Sequence, residues 1–456
     1  MNKIATLLLV LVFVMVFSLV TVKPACSSDS PAENSWVTKA QMHEPRAFLG
    51  VAAVNGKIYA IGGDNGSFMG NVGNPWGHTN EVVSVNEEYD PATDTWVFKK
   101  AMPTARAGFA TAVWENRIYC IGGWLSDYSD TDVNEVYDPA TDTWTNNEPI
   151  PISNTYFTAA VVGDSIYVLP LLNTNAFEAY HPESDSWSSK TPPPNEISGF
   201  TSAVVGNKIY FEGAEMTNGT FKGSIQIYDT TTDSWSVVPT FPTSFDLYGC
   251  GGTTSGDIAP ERIYFFMDEV TNAYDPASGN WTVSASMPTI RYCGGASVVN
   301  DTFYVIGGRS GQWGYFVDMR ADASNEQYIP FGYGSVKPVI RMLSPEGKTY
   351  NESSVPLTFT VDKPVSWMEY SLDERDNVTI DGNTTLSGLP NGFHDLTVYA
   401  KYVEGSVGAS ETVHFNLEVP FPTTIVVVAS GASIVAVAAG VLVYFKKRKH
   451  ANQQKE

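Results

Sequence analysis

The sequence predicts an all-β chain of blade-type repeats, followed by a smaller β domain and one apolar helix. Three observations lead there. A ten-residue phrase is written almost twice, EEYDPATDTW at 87–96 and EVYDPATDTW at 135–144, and looser copies follow as AYHPESDSW (179–187), IYDTTTDSW (227–235) and AYDPASGNW (273–281). The tyrosine-to-tryptophan interval is seven every time, and Trp96, Trp144, Trp187, Trp235 and Trp281 stand 48, 43, 48 and 46 residues apart, a period of blades rather than of helical solenoids. Upstream of each tyrosine lies an alternating or β-branched run, which reads as strand.

Each of these runs has a partner. KIYAIGG (57–63), RIYCIGG (117–123), SIYVLPL (165–171), KIYFEGA (208–214), RIYFFMD (262–268) and TFYVIGG (302–308) are each preceded by a second strand-like segment across a Gly, Asn or Asp turn, as GFATAVWEN (108–116) shows. With the segments that flank the YDPATDTW turn, this makes four strands per repeat. In that turn Asp138 and Pro139 suit the first two positions, and Asp142 can bond nearby backbone.

This pattern, a strand ending in Gly-Gly followed by a Tyr and then a Trp at fixed interval, resembles the kelch repeat over about residues 36–334. The resemblance implies a β-propeller in which each repeat is one blade of strands a to d around a central axis. Three repeats depart from it: Leu169-Pro170 and Phe266-Met267 replace the glycine pair, and Ala214 replaces its second member. The blade count follows from an omission. Tyr328 has no tryptophan seven residues on, whereas Trp36 precedes Arg46 by ten residues, as Trp96 precedes Arg106 and Trp281 precedes Arg291. The N-terminal segment is therefore expected to supply strand d of the last blade, closing a six-bladed ring over residues 34–334 and removing its free edges.

Outside the repeats the chain changes in kind. Residues 336–419 lose the period and show strand-like runs such as PLTFTV and HDLTVYAKYV, expected to form a small immunoglobulin-like β-sandwich that acts as a spacer. Residues 425–445 are apolar without a charge, long enough to span a bilayer as one helix, and the basic block KKRKH after them assigns the tail 446–456 to the cytoplasm. Residues 1–28 read as a signal peptide, with Lys3, a short apolar run and small residues near Ala25. The expected location is thus the plasma membrane, with the N-terminal domains extracellular. Pro420 and Pro422 stiffen the step into the membrane.

Setting aside Lys3, Lys23, the five basic residues of the tail and Glu456 leaves 20 basic against 48 acidic residues outside, about −28. That disfavours nucleic acid as a partner. Seven Asn-x-Ser/Thr acceptors, Asn65, Asn218, Asn280, Asn300, Asn351, Asn377 and Asn383, fit an exported chain. Cys250 and Cys293 occupy matching places in LYGCGG and IRYCGG; a disulfide is weighed, but paired packing residues are the stronger reading. No cofactor or metal is expected. Galactose oxidase-like copper enzymes share the kelch propeller, but the ring offers only His43, His78 and His181, the last in a turn on the opposite face.

Strand alternation puts the b-to-c and d-to-a loops of every blade on one face. The long b-to-c loops belong to units one (64–84), two (124–133) and six (309–324), neighbours in a closed ring, and the same units begin strand a with Arg46, Arg106 and Arg291. One sector of that face is expected to gather Arg46, Arg106, Arg291 and Arg309 with Trp76, Trp124, Trp313 and Tyr315. Forked donors beside flat apolar surface suit acidic glycans or acidic peptide segments. The reading is a surface protein that binds an extracellular protein or glycan; the alternative is an ectoenzyme of the sugar mutarotase or epimerase type acting on acidic sugars, which blade number alone suggests.

Overall fold

In the computed structural model, residues 32–420 are described apart from 69–80, 155, 172–175, 196, 218–219, 239–248, 313–316, 363 and 403–405. All regular structure among them is strand. The expected signal peptide (1–28), membrane helix (425–445) and tail lie outside the described residues, and among those described no helix is long and apolar enough to cross a membrane. The chain divides into two compact units between Tyr333 and Gly334.

Six of the seven four-stranded antiparallel sheets of the first unit form a ring. Their innermost strands are Gly50–Val54, Ala110–Trp114, Phe157–Val162, Ile197–Val205, Cys250–Thr253 and Gly295–Val299, and each packs on the next in cyclic order, the last returning to the first. The ring is a propeller. In five of the six blades strands a and b meet in two-residue turns, with left-handed backbone at both residues in Asn55-Gly56 and Asn300-Asp301, the geometry that matches strand twist. The sixth sheet runs Gly295–Val299, Thr302–Ile306, Asn325–Ile329, and its outermost strand is Ser35–Thr38 from the other end of the chain, with Trp36 opposite Tyr328. The closing strand is the one that the omission of a sixth tryptophan indicates.

The repeated phrase folds as a stitch between blades. Its tyrosine and tryptophan face each other across strands c and d with ring centroids 4.9–5.1 Å apart in all six blades, from Tyr89–Trp96 to Trp36–Tyr328. The acidic residue two before the tryptophan adopts a left-handed conformation, φ 53° at Asp142, and its carboxylate accepts both the Tyr137 hydroxyl (2.7 Å) and the Lys100 backbone N–H (2.9 Å). Trp144 Nε1 then donates to the carbonyl of the same Lys100. One residue of the preceding blade is thus held at both of its backbone groups. The clamp recurs on Ala40, Glu148 and Thr191, and Asn34 plays the acid's part on Ala285 at the closure. Unit five has Gly279 at this place, which keeps the backbone conformation and gives up the acceptor.

The second unit has two sheets, one of Ile340–Ser344, Ser354–Val361 and Thr384–Ser387, the other centred on Gly392–Lys401 between Trp367–Leu372 and Val413–Leu417. Alternate residues of Ser354–Val361 and Gly392–Lys401 turn inward, so Val355, Leu357 and Phe359 share one apolar core with Leu396, Val398 and Ala400. Asn351, Asn377 and Asn383 of this unit are exposed, as are Asn280 and Asn300 of the propeller; Asn65 is half-buried and Asn218 lies outside the described residues.

Candidate functional site

The loop-face arginines are not where a ligand could use them. Arg46 and Arg106 are 0% exposed and Arg291 3%. Arg46 donates to the carbonyls of Ala60, Gly62 and Val85 and to Glu87 Oε1 at 3.0 Å, so its fork fills the gap that opens between strands b and c where the chain leaves at Gly62. Arg106 pairs with Glu135 (2.5 Å) and the Cys120 carbonyl; Arg291 pairs with Glu326 (2.8 Å) and the Val305 carbonyl. Burial pulls the Arg46 and Arg291 guanidiniums below their usual range, and Glu87 and Glu326 oppose that pull. Each carboxylate is also held from the loop before the arginine, by Thr104 and Thr289 hydroxyls or, in unit one, by His43 Nδ1 at 2.6 Å.

The glycine pairs complete the same device. Gly63 N–H donates to the Arg106 carbonyl and Gly308 N–H to that of Arg46, each reaching the arginine of the next blade. A Cβ at Gly62 would stand 2.7 Å from the Arg106 carbonyl oxygen and one at Gly307 2.5 Å from that of Arg46, and both positions have positive φ, so only glycine fits. In unit two, whose next blade has no arginine, a Cβ at Gly122 would instead meet the Phe157 ring. The three guanidiniums are therefore buried and paired with glutamates inside the blades, out of reach of an acidic sugar or acidic peptide, which corrects the expectation placed on Arg46, Arg106 and Arg291 and removes the residue basis of the acidic-sugar ectoenzyme reading.

Arg309 differs in its partner. It forms a buried ion pair with Asp64, and its guanidinium carbon lies 5.6 Å from the ring centre of Phe48. Phe48 sits at φ 52°, a conformation that bulky residues rarely adopt, in the place where unit two has Gly108 and unit six Cys293, also at positive φ. Its backbone bonds run around the axis: Phe48 N–H donates to Cys293, Gly108 to Phe48 and Phe157 to Gly108. Held this way, Phe48 meets Trp124 edge-on (6.1 Å) and Tyr156 (5.6 Å), and Trp124 carries Tyr128 stacked parallel at 6.0 Å. The sector thus does bring Arg309 and Trp124 together, through Phe48. Trp76, Trp313 and Tyr315 lie outside the described residues.

Phe48 of this cluster lines a cavity of about 150 Å³ on the propeller axis. Its walls are the starts of the inner strands, including Phe48, Phe109, Thr111, Phe157, Cys250 and Cys293, so it lies at the loop-face end of the axis. A space of that size suits one ring or one aliphatic side chain, not an oligosaccharide. Cys250 and Cys293 are free buried thiols rather than a disulfide; burial pushes Cys250 up to about 12 and Cys293 up as well, so neither is a thiolate at neutral pH. Over the same sector the long loops of units one and six pair into an accessory sheet, Arg291–Tyr292, Arg309–Gln312, Val317–Ala321 and Ser67–Phe68.

Sequence reasoning missed Phe48, Tyr128, Tyr156 and the three glutamates. The glutamates had a signal: Asn-Glu stands before the tyrosine only in NEEYD, NEVYD and NEQYI, the arginine units, while the others read FEAYH, IQIYD and TNAYD.

The Kelch motif matches residues 45–103 and 105–146. Among curated proteins, the chain is 32% identical over 104 residues to Kelch-like protein 15 of Danio rerio, covering 22% of this chain and 16% of that one. It is 38% identical over 82 residues to the Influenza virus NS1A-binding protein homolog of Mus musculus (18% and 11%) and 32% over 91 residues to F-box protein AFR of Arabidopsis thaliana (20% and 22%). The matched segment spans less than a quarter of each of these relatives. Among solved structures, that titled "Structure of YjhT" aligns with a TM-score of 0.47 at 15% identity, over 63% of this chain and 96% of that one.

Proposed function

We propose that this chain, a kelch-repeat β-propeller, binds a protein partner at the loop face around its axial cavity, and that an Ig-like second unit and a single membrane span hold it outward at a cell surface. The observation that carries the binding reading is the Phe48–Trp124–Tyr128–Tyr156 cluster: four aromatic rings linked by contact, with Phe48 on the wall of the axial cavity and two of the four, Phe48 and Tyr128, set in strained backbone conformations. The kelch repeats favour protein recognition, and one relative's name records binding to a viral protein. The cavity volume speaks for a side chain inserted from a partner rather than for a glycan chain. Outward display rests on the uncharged run at 425–445 with the basic block behind it, and on five exposed sequons.

The test uses the full-length chain purified with its apolar C-terminal segment, screened against extracellular proteins and against glycans, beside a variant carrying Phe48→Ala, Tyr128→Ala and Tyr156→Ala. Capture of a protein by the wild type, weakened at least tenfold in the variant while its unfolding midpoint stays above the assay temperature, supports the reading. Capture unchanged by the three substitutions, or of glycans alone, overturns it. Glycosidase treatment of intact cells should increase the mobility of the chain; no shift would contradict outward display.

A further inference from the structure

With Arg46, Arg106, Arg291 and Arg309 all paired internally, the sector loses its fixed positive charge, and what it shows to solvent is aromatic and acidic. The loop from Trp124 to Val133 reads WLSDYSDTDV, without a cation, and Asp127, Tyr128, Asp130 and Asp132 are exposed on it. Tyr128 is 55% exposed, lies flat on Trp124 and has φ 64°, so its ring is held outward by a strained backbone and a stacked neighbour. Exposed cations of this face stand elsewhere, Arg320 on the accessory sheet and Lys100 after an outermost strand.

We infer that the partner segment received at this face is basic: a stretch of protein carrying lysine or arginine, whose cation covers the Tyr128 ring while Asp127, Asp130 and Asp132 attract it. The inference rests on the loop-face binding reading above and inverts the charge preference that the arginines suggested. A cation over a tyrosine ring is attracted by the negative face of the ring, and charge complementarity steers the encounter and sets the register. Ser129 donates to Asp127 from both its backbone and its hydroxyl, which keeps that carboxyl below the usual carboxylate range and charged at neutral pH. The floor of the patch holds an unspent donor as well: Trp124 is 5% exposed, and its indole N–H has no acceptor among the described residues.

The experiment measures fluorescence anisotropy of three labelled dodecapeptides on the full-length chain: Gly-Ser peptides carrying four lysines or arginines, four glutamates, or no charge. The basic peptide should bind at least tenfold more tightly than the others and weaken as salt rises. Asp127→Asn, Asp130→Asn and Asp132→Asn together, or Tyr128→Ala, should cost it at least fivefold. Glu115→Gln, Asp164→Asn and Glu183→Gln remove the same three charges from exposed turns of the opposite face and should leave binding within twofold. Equal loss in both triple variants would show a diffuse field rather than a site and overturn the inference, as would preference for the acidic or neutral peptide. If such a peptide binds and Tyr128→Ala abolishes it, the loop-face reading survives and only the basic partner falls. If no peptide binds, the basic partner falls, and the loop-face reading is left to its own protein screen.

Discussion

At the scale of single residues, the fold leans on a side chain that the sequence presents as turn chemistry. Asp142 tolerates φ 53°, accepts the Tyr137 hydroxyl and accepts a backbone N–H of the blade before it. Replacing it by Ala removes both bonds and strains the backbone, a loss of roughly 2–4 kcal/mol, whereas Asn keeps an acceptor and the conformation and should cost about 1 kcal/mol. Urea unfolding of the two variants checks the order; equal losses would show that the carboxylate bonds contribute nothing. The same bonds give the molecule an acid limit. The tyrosine hydroxyl first, and the backbone N–H of the neighbouring blade, hold the carboxyls of Asp94, Asp142 and Asp233 below the usual carboxylate range. A depressed folded-state value means stabilisation present above the unfolded value of about 4 and lost as pH falls below it. The unfolding midpoint should therefore drop on acidification below pH 4, and Asp142→Asn should flatten that drop.

At the scale of the element, the arginine units are bolted where the others are packed. Glu135 is 1% exposed, so Arg106→Met leaves a buried carboxylate without its partner, a cost of about 3–5 kcal/mol. Arg106→Met with Glu135→Leu removes both charges and should regain most of it. Urea midpoints of the single and double variants decide this; a double variant as weak as the single one would mean that the backbone carbonyls, not the ion pair, set the cost. Much of this scale was legible in the sequence. Strands, turns and the tyrosine–tryptophan pairs repeat, and repetition turns one local signal into six. The bolts were half legible, because arginine and Gly-Gly recur together, but the glutamate that spends each guanidinium lies some 30–40 residues downstream and was passed over. The aromatic cluster was not legible beyond Trp124. Phe48 and Tyr156 come from different blades, and Phe48 is placed by a positive φ that nothing in its local sequence requires. The accessory sheet escaped for the same reason: its strands come from 67–68 and 291–321, and join only because the ring closes.

At the scale of the whole molecule, closure of the propeller is noncovalent and rests on a short strand. Ser35–Thr38 pairs with Asn325–Ile329, Trp36 packs on Tyr328 and Phe266, and Asn34 clamps Ala285, so the final blade is completed by residues nearly three hundred positions away in sequence. A chain lacking residues 32–38 would expose the full edge of Asn325–Ile329 beside an uncovered Tyr328 ring. An open strand edge recruits another. The deletion variant is expected to self-associate in sedimentation velocity and to become sensitive to proteolysis near residue 330, while its other five blades retain their strand signal. A synthetic peptide of residues 32–40 added in trans should restore both the sedimentation behaviour of the intact chain and its protease resistance, and the same peptide with Trp36→Ala should do so at least tenfold less well. A deletion variant that sediments as the intact chain does would mean that the six inner-strand contacts between blades hold the ring without its closing strand, and that the split repeat serves only to cover an edge.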